Sequence, residues 1–344
     1  MLGQHRWAFN LSTSIGVLGL AATSSLVMLA HHFVDQLSRP HSLPDEALFE
    51  WKLPDSSPEP PASHQRAVVF HTSDGTFLRG EFWAQPCPAP TVIICHGYRV
   101  TRSYLRPVAA LQYSHGYNVL LFDFRGHGES ESKATTGGNA EVRDLEAALL
   151  VASQQSETIP GKIIIHGFSM GAAVALLTLP HPQVAAIIVD SPYARSDEIL
   201  RRFVHWHLMM AISSKPSLRH MQFAFPAVAW ATVAASTIVF RLRYGHALVA
   251  RPDASFKRWK ALSKTTLHPD YTPILLIHDE KDPLIPIAHA HQIVEKARTY
   301  NIPVETYYVD DAIHCGAYGY NPKQYVAIIQ EFLSRHLGDA FPGV

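Results

Sequence analysis

Three cysteines in 344 residues, with no C-x-x-C pair among them, leave this sequence without the spacing of a disulfide framework or a zinc site. Excess charge is missing too. Lys plus Arg and Asp plus Glu each number 29, and charged residues make up only 17% of the chain. No lysine- or arginine-rich stripe interrupts that balance, so nucleic acid is not an expected partner. No internal repeat is present. Histidine is plentiful at 21 residues but scattered, and a histidine needs a specific context before it counts as functional. What the chain has in quantity is apolar residues, 47% of the total, enough to core one large α/β domain or two small ones.

Three stretches of distinct character precede the first strand-like pattern. Met1 to Ala8 is short and carries His5 and Arg6. Phe9 to Ala30 then runs without a charge, close to the ~20 residues that span a bilayer as a helix. Its end, VMLAHH, has Met28 where cleavage after Ala30 would need a small residue, so the segment reads as an uncleaved transmembrane signal anchor. Residues 31–64 turn polar and proline-rich (RPHSLPDE, LPDSSPEPPASH) and read as a semi-rigid stalk.

From residue 65 the pattern changes. AVVFHTSDG and FLRGEFWA read as two antiparallel strands about a turn at Ser73, Asp74 and Gly75. Short apolar runs then alternate with helical stretches. The runs are TVIICHG, NVLLFDF, KIIIHG, AAIIVDS, PILLIHDEKD and VETYYVDD, and helices are expected over 104–114, 140–154, 172–179, 287–296 and 324–337. Strands that are nearly all apolar need cover on both faces, which indicates an α/β fold with a mostly parallel sheet between helices. The interval Pro192 to Tyr271 breaks the rhythm: it holds no clear strand and is too long for an ordinary connection. Rich in aromatics and arginine, it is expected to be an inserted helical cap. The core would then occupy 65–191 and 272–338, with 339–344 as a tail.

The stretch HGFSMG (His166 to Gly171) sits at the end of an apolar run and at the start of a helical one. A strand that turns sharply into a helix presents its turn residue above the sheet edge, and small neighbours at Gly167 and Gly171 let the two elements approach closely. Ser169 would project there at a helix N-terminus, where unpaired amides favour developing negative charge. A serine hydroxyl is a poor nucleophile without a base and a carboxylate that holds the base. Asp282, beyond the strand PILLIHD, and His314, beyond VETYYVD, follow in the chain order such an elbow requires. Asp190, Asp279 and Glu280 are rival acids, whereas Asp310 and Asp311 are too near His314 in sequence to buttress its ring. The oxyanion of an acyl-transfer intermediate also needs donors. The backbone N–H of Met170 and that of Tyr98, in the loop after TVIICHG, are expected to supply them, with His96 a structural hydrogen-bonder beneath that loop.

Taken together, CHGY (Cys95 to Tyr98), DFRGHGES (Asp123 to Ser130), HGFSMG, DEKDPLIP (Asp279 to Pro286) and IHCG (Ile313 to Gly316) resemble the α/β-hydrolase fold superfamily. The likeness is to its serine esterase, monoacylglycerol lipase-like and S33 peptidase-like members. It implies an eight-stranded, mostly parallel sheet and hydrolysis through an acyl-enzyme with no cofactor. It also implies that Arg125 and His127 brace their loop rather than do chemistry. The cap matches no pattern of that superfamily.

The expected function is therefore a membrane-anchored serine hydrolase acting on carboxylic esters of apolar, lipid-like acyl groups, attached to the membrane through residues 9–30. Peptidase, thioesterase and acyltransferase activities are alternatives on the same triad, and a catalytically silent binding module is the alternative from another class. Arg6 and the N-terminal amine precede the anchor while Asp45, Glu46 and Glu50 follow it, so the hydrolase is expected on the extracytoplasmic side. Phe223 to Phe240 has the hydropathy of a second span, but a single crossing there would separate Ser169 from Asp282 and His314. It is expected to be a cap helix that lines an acyl pocket or dips into the membrane interface.

Overall fold

A computed structural model describes residues 23–40, 57–178, 180–214, 216–262 and 272–340. The expected N-terminal segment, most of the anchor and the stalk over 41–56 lie outside them. Eight strands form one sheet: β1 (Gln65–His71), β2 (Phe77–Trp83), β3 (Ala89–Cys95), β4 (Asn118–Phe122), β5 (Thr158–Phe168), β6 (Val184–Asp190), β7 (Ile274–Asp279) and β8 (Val304–Val309). Their order is β1-β2-β4-β3-β5-β6-β7-β8, antiparallel for the two pairs that involve β2 and parallel from β4 onward. In chain order the helices are α1 over 23–38, α2 (Arg106–Ser114), α3 (Glu141–Ser153), α4 (Met170–Leu177), α5 (Ser196–Ser213), α6 (Phe225–Tyr244), α7 (Pro252–Leu262), α8 (Ala288–Thr299) and α9 (Pro322–Leu337). A single turn, Ala317–Tyr320, precedes α9.

Strands β3, β4 and β7 are buried along their whole length because alternate residues feed two cores. Ile93, Leu120 and Ile165 face the core covered by α3, α4, α7 and α8. Val92, Leu121 and Ile164 face the core covered by α2 and α9. This is why those runs read as continuously apolar. The edge strands β1 and β8 are only part-buried.

The chain forms two compact units. One holds the sheet and comprises residues 38–196 and 249–344; the other comprises 197–248 and the residues up to Leu37. Two sequence expectations shift accordingly. The compact insertion is 197–248, narrower than 192–271, because α7 belongs to the sheet unit. Its Phe256 and Trp259, three residues apart on one helical face, are buried in the core with α4 and α8. Residues 31–38, expected in the stalk, are helical. In α1, Ala30, Phe33 and Val34 are buried at helical spacing. Phe33 clusters with Val204 of α5 and with Ala229 and Val233 of α6, and Val34 clusters with Phe240 and Leu248.

Among the described residues, the helix long and apolar enough to cross a membrane by length and composition is the mid-chain one over 219–244, not an N-terminal one.

Candidate active site

All the residues singled out as chemical by the sequence lie in the sheet unit, where the carboxyl ends of β3, β5, β6, β7 and β8 gather them. Ser169 joins β5 to α4 with φ 51° and ψ −111°, a conformation side chains rarely adopt. Its N–H donates to the Asp190 carbonyl at 2.8 Å, which ties the turn to β6. The flanking glycines are required by space. A methyl group on Gly171 would lie 2.2 Å from the Cys95 carbonyl oxygen, and one on Gly167 would lie 2.5 Å from the Gly171 carbonyl oxygen. Met170 opens α4, so its amide belongs to the helix-terminal donors that the helix itself leaves unpaired.

His314 Nδ1 and Asp282 Oδ2 are 2.6 Å apart, and both residues are buried. The other oxygen of Asp282 accepts the N–H groups of Leu284 and Ile285, each at 2.8 Å, so the carboxylate is fixed with one oxygen toward the ring. Burial alone would raise the Asp282 carboxyl. The hydrogen bond from His314 and its charge, with the amide donors, outweigh that and hold it below its usual range. With Nδ1–H donated to Asp282, His314 Nε2 keeps its lone pair, which is the form a general base needs.

Of the rival acids Asp190, Asp279 and Glu280, Asp279 and Asp190 are engaged elsewhere, as are Asp310 and Asp311. Asp279 accepts the amides of Lys281 and Ala312. Asp310 and Asp311 pair with Lys281 at 3.0 and 3.2 Å. Asp190, fully buried, takes hydrogen bonds from Ser191 (3.0 Å) and from the Tyr325 hydroxyl (3.3 Å). Burial pushes its carboxyl up to about 7.

Ser191 and Tyr325 escaped the sequence reading, and Cys315 entered it only within IHCG. Ser191, at φ 52°, accepts the Cys315 N–H at 3.0 Å and so ties the end of β6 to the residue after His314. Tyr325, on α9, also meets His166 Nε2 at 3.0 Å. The one signal for Ser191 was its position after an apolar strand; Tyr325 has no local motif.

The loop after β3 passes beside Ser169: a methyl group on Gly97 would be 3.5 Å from Ser169 Cβ. Tyr98 follows in that loop. His96 beneath it donates from Nδ1 to the Gly97 carbonyl (2.7 Å) and accepts the Phe124 N–H at Nε2 (2.9 Å), and burial keeps the ring neutral. Arg125 is bound to Asp144 and Asp74, and His127 Nε2 accepts the Arg99 N–H at 3.1 Å, so both side chains are committed to holding loops. No group of three or more metal-ligating side chains occurs among the described residues.

Residues 92–327 match the alpha/beta hydrolase family. The chain belongs to that family. This alpha/beta hydrolase is 30% identical over 275 residues to the uncharacterized protein YqkD of Bacillus subtilis (strain 168), covering 78% of each chain. It is similar in structure to the Pyrococcus furiosus esterase Pf2001, with a TM-score of 0.61 at 25% identity, covering 82% of this chain and 98% of that one. Over 112 residues it is 31% identical to the thiohydrolase aneE of Aspergillus aculeatus, about a third of each chain. The protein is a hydrolase with esterase structural neighbours.

Proposed function

We propose that this protein is a membrane-anchored serine hydrolase that cleaves carboxylic esters through Ser169, His314 and Asp282. The observation that carries the reading is the 2.6 Å contact of His314 with a buried carboxylate that is kept ionised. A structural histidine gains little from such a partner, whereas a general base needs one to fix its tautomer and stabilise its imidazolium.

In this mechanism His314 Nε2 takes the hydroxyl proton as Ser169 Oγ attacks the acyl carbon. The negative charge that forms on the carbonyl oxygen is met by the amides of Met170 and Tyr98. The tetrahedral adduct collapses, and the alcohol leaves with the proton from His314. Water, deprotonated by the same imidazole, then releases the acid from the acyl-enzyme. The substrate preference for apolar acyl groups rests on the apolar composition of the insertion. A thioester reading shares every step and draws on the partial likeness to a thiohydrolase.

The uncharged run Phe9 to Ala30 supports anchoring, and Arg6 before it against Asp45, Glu46 and Glu50 after it supports a catalytic unit outside the cytoplasm. Protease shaving of intact cells that leaves the domain untouched would overturn that orientation.

The test is a panel of oxygen and sulfur acyl esters of varied chain length, run with the native protein and with Ser169→Ala, alongside a fluorophosphonate probe. Labelling at Ser169 with ester turnover supports the reading. Failure of the folded protein to take the probe would favour a binding module instead.

A further inference from the structure

The helix α6 has two apolar faces, and only one of them is used inside its own unit. Phe225, Ala229, Val233 and Phe240 are buried. On the opposite side Ala227, Trp230, Ala234, Ile238 and Leu242 recur every three or four residues and all five are exposed, as is Phe223 in the 3₁₀ segment that leads into the helix. Phe223 and Leu242 are 85% and 83% exposed. A helix facing water would carry polar residues on that stripe. Neighbouring α5 adds exposed Phe203, Trp206 and Met210.

Charge singles out the same segment. In a chain of zero net charge, residues 197–248 hold six Lys or Arg against two Asp or Glu. Exposed Arg219 precedes the stripe, and exposed Arg241 stands at its far end beside Arg243, whose guanidinium pairs with Asp35. Apolar side chains with exposed tryptophan between long basic ones suit the boundary of a bilayer, where guanidinium groups reach back to anionic headgroups.

The helix cannot cross. Strands β6 and β7, which flank the insertion, are neighbours in one sheet, with Asp190 opposite Ile277. A single crossing would tear that pair apart, and α5 could not supply a return crossing because it opens with Asp197, Glu198, Arg201 and Arg202. The occupant is suggested by continuity: α1, whose buried Phe33 and Val34 pack with the inner face of α6, begins inside the uncharged run Phe9 to Ala30.

Resting on the membrane reading above, we propose that the outer stripe of α6 lies in the interface of an anionic bilayer, parallel to its plane, with Trp230 and Ile238 immersed. The experiment uses the full chain with Cys87→Ser, which removes the one exposed thiol. Spin labels are placed at Trp230→Cys or Ile238→Cys, and for reference at Leu150→Cys or Val69→Cys, exposed apolar sites on the sheet unit. In phosphatidylcholine–phosphatidylglycerol vesicles, the ratio of oxygen to nickel-complex accessibility should be several-fold higher at 230 and 238 than at 150 and 69. It should fall when phosphatidylglycerol is omitted.

A chain that floats with the vesicles while 230 and 238 stay as open to nickel as 150 overturns this proposal and leaves the anchor standing. A chain that does not float overturns both, and turnover of a soluble ester on the same sample reports the hydrolase reading independently. Spin–spin broadening at 230 in detergent without lipid would assign the stripe to a second copy and likewise overturn the proposal, while an unchanged ratio without phosphatidylglycerol would overturn its anionic part.

Discussion

The two units of this molecule depart from ordinary sorting in opposite directions. In the sheet unit the exceptional residues are polar groups taken out of water: Asp282, His314, Asp190, Arg125 and Glu141 are all buried. In the smaller unit the exceptional residues are apolar groups left outside: among the described residues, ten of the fifteen large exposed apolar side chains belong to it. A buried charge persists only when paired and hydrogen-bonded, and an exposed apolar stripe persists only when something else covers it. The first kind of exception points inward to chemistry on a small substrate. The second points outward to a surface.

That contrast can be broken by substitution, and the largest effect is expected in the sheet unit. Ser169→Ala and His314→Ala should each lower turnover by roughly 10⁴-fold, with the double variant little worse, because the pair acts as one unit. Asp282→Asn should cost on the order of 10²- to 10⁴-fold. Steady-state kinetics on a soluble ester decide it: multiplicative losses would mean a misassigned partner. Trp230→Asp, on the smaller unit, should leave that assay within a few-fold.

Next come the two faces of α6. Phe240→Ala should destabilise the smaller unit by about 3–5 kcal/mol, read as lost hydrogen-exchange protection in α6. Ile238→Ala, two residues away on the exposed stripe, should change it by no more than roughly 0.5 kcal/mol. Equal losses would remove the distinction between the faces. Gly171→Ala should cost about 1–3 kcal/mol or more through the clash with the Cys95 carbonyl, visible as a lower melting temperature with α6 protection unchanged.

The smallest effect on turnover is expected from Asp190→Asn, within a few-fold, since Asp282 already holds His314. Its signature is in pH. Burial raises the Asp190 carboxyl from 3.8 to about 7 in the folded chain. Folding therefore favours the protonated form, and the stability this contributes is present below about 4 and lost as pH rises through about 7. An asparagine cannot ionise, so the melting temperature of the variant should fall less over that range than that of the native protein. A crippled Asp190→Asn enzyme with Asp282→Asn nearly silent would reverse the acid assignment.

Much of the sheet was legible because its inner strands carry short, nearly continuous apolar runs such as TVIIC, NVLLF and ILLI, a pattern few other elements share at that length. The elbow was legible because two glycines are forced by backbone contacts under 3 Å, and so leave a fixed trace around Ser169. The Asp282 contact needed only chain order and strand ends. Ser191 and Tyr325 were not legible, because the groups that give them meaning come from β6, α9 and the His314 loop, far apart in sequence. Nor was the extent of the insertion: α7 and α6 both read as helix after β6, and only packing assigns Phe256 and Trp259 to one core and Phe240 to another. Proline-rich surroundings hid the short amphipathic pattern of α1 for the same reason.

The burial of Ala30, Phe33 and Val34 in α1 also bears on how the polypeptide is processed. A protein that reads a segment by adding it as a strand to its own sheet needs that segment extended. Here the bond after Ala30 lies within a helix that runs from 23 to 38, and the Ala30 carbonyl accepts a hydrogen bond from the Ser236 hydroxyl at 3.4 Å. Scission at that bond would require α1 to unwind and Phe33 and Val34 to leave their packing. Docking of α1 in the smaller unit therefore opposes any scission at that bond.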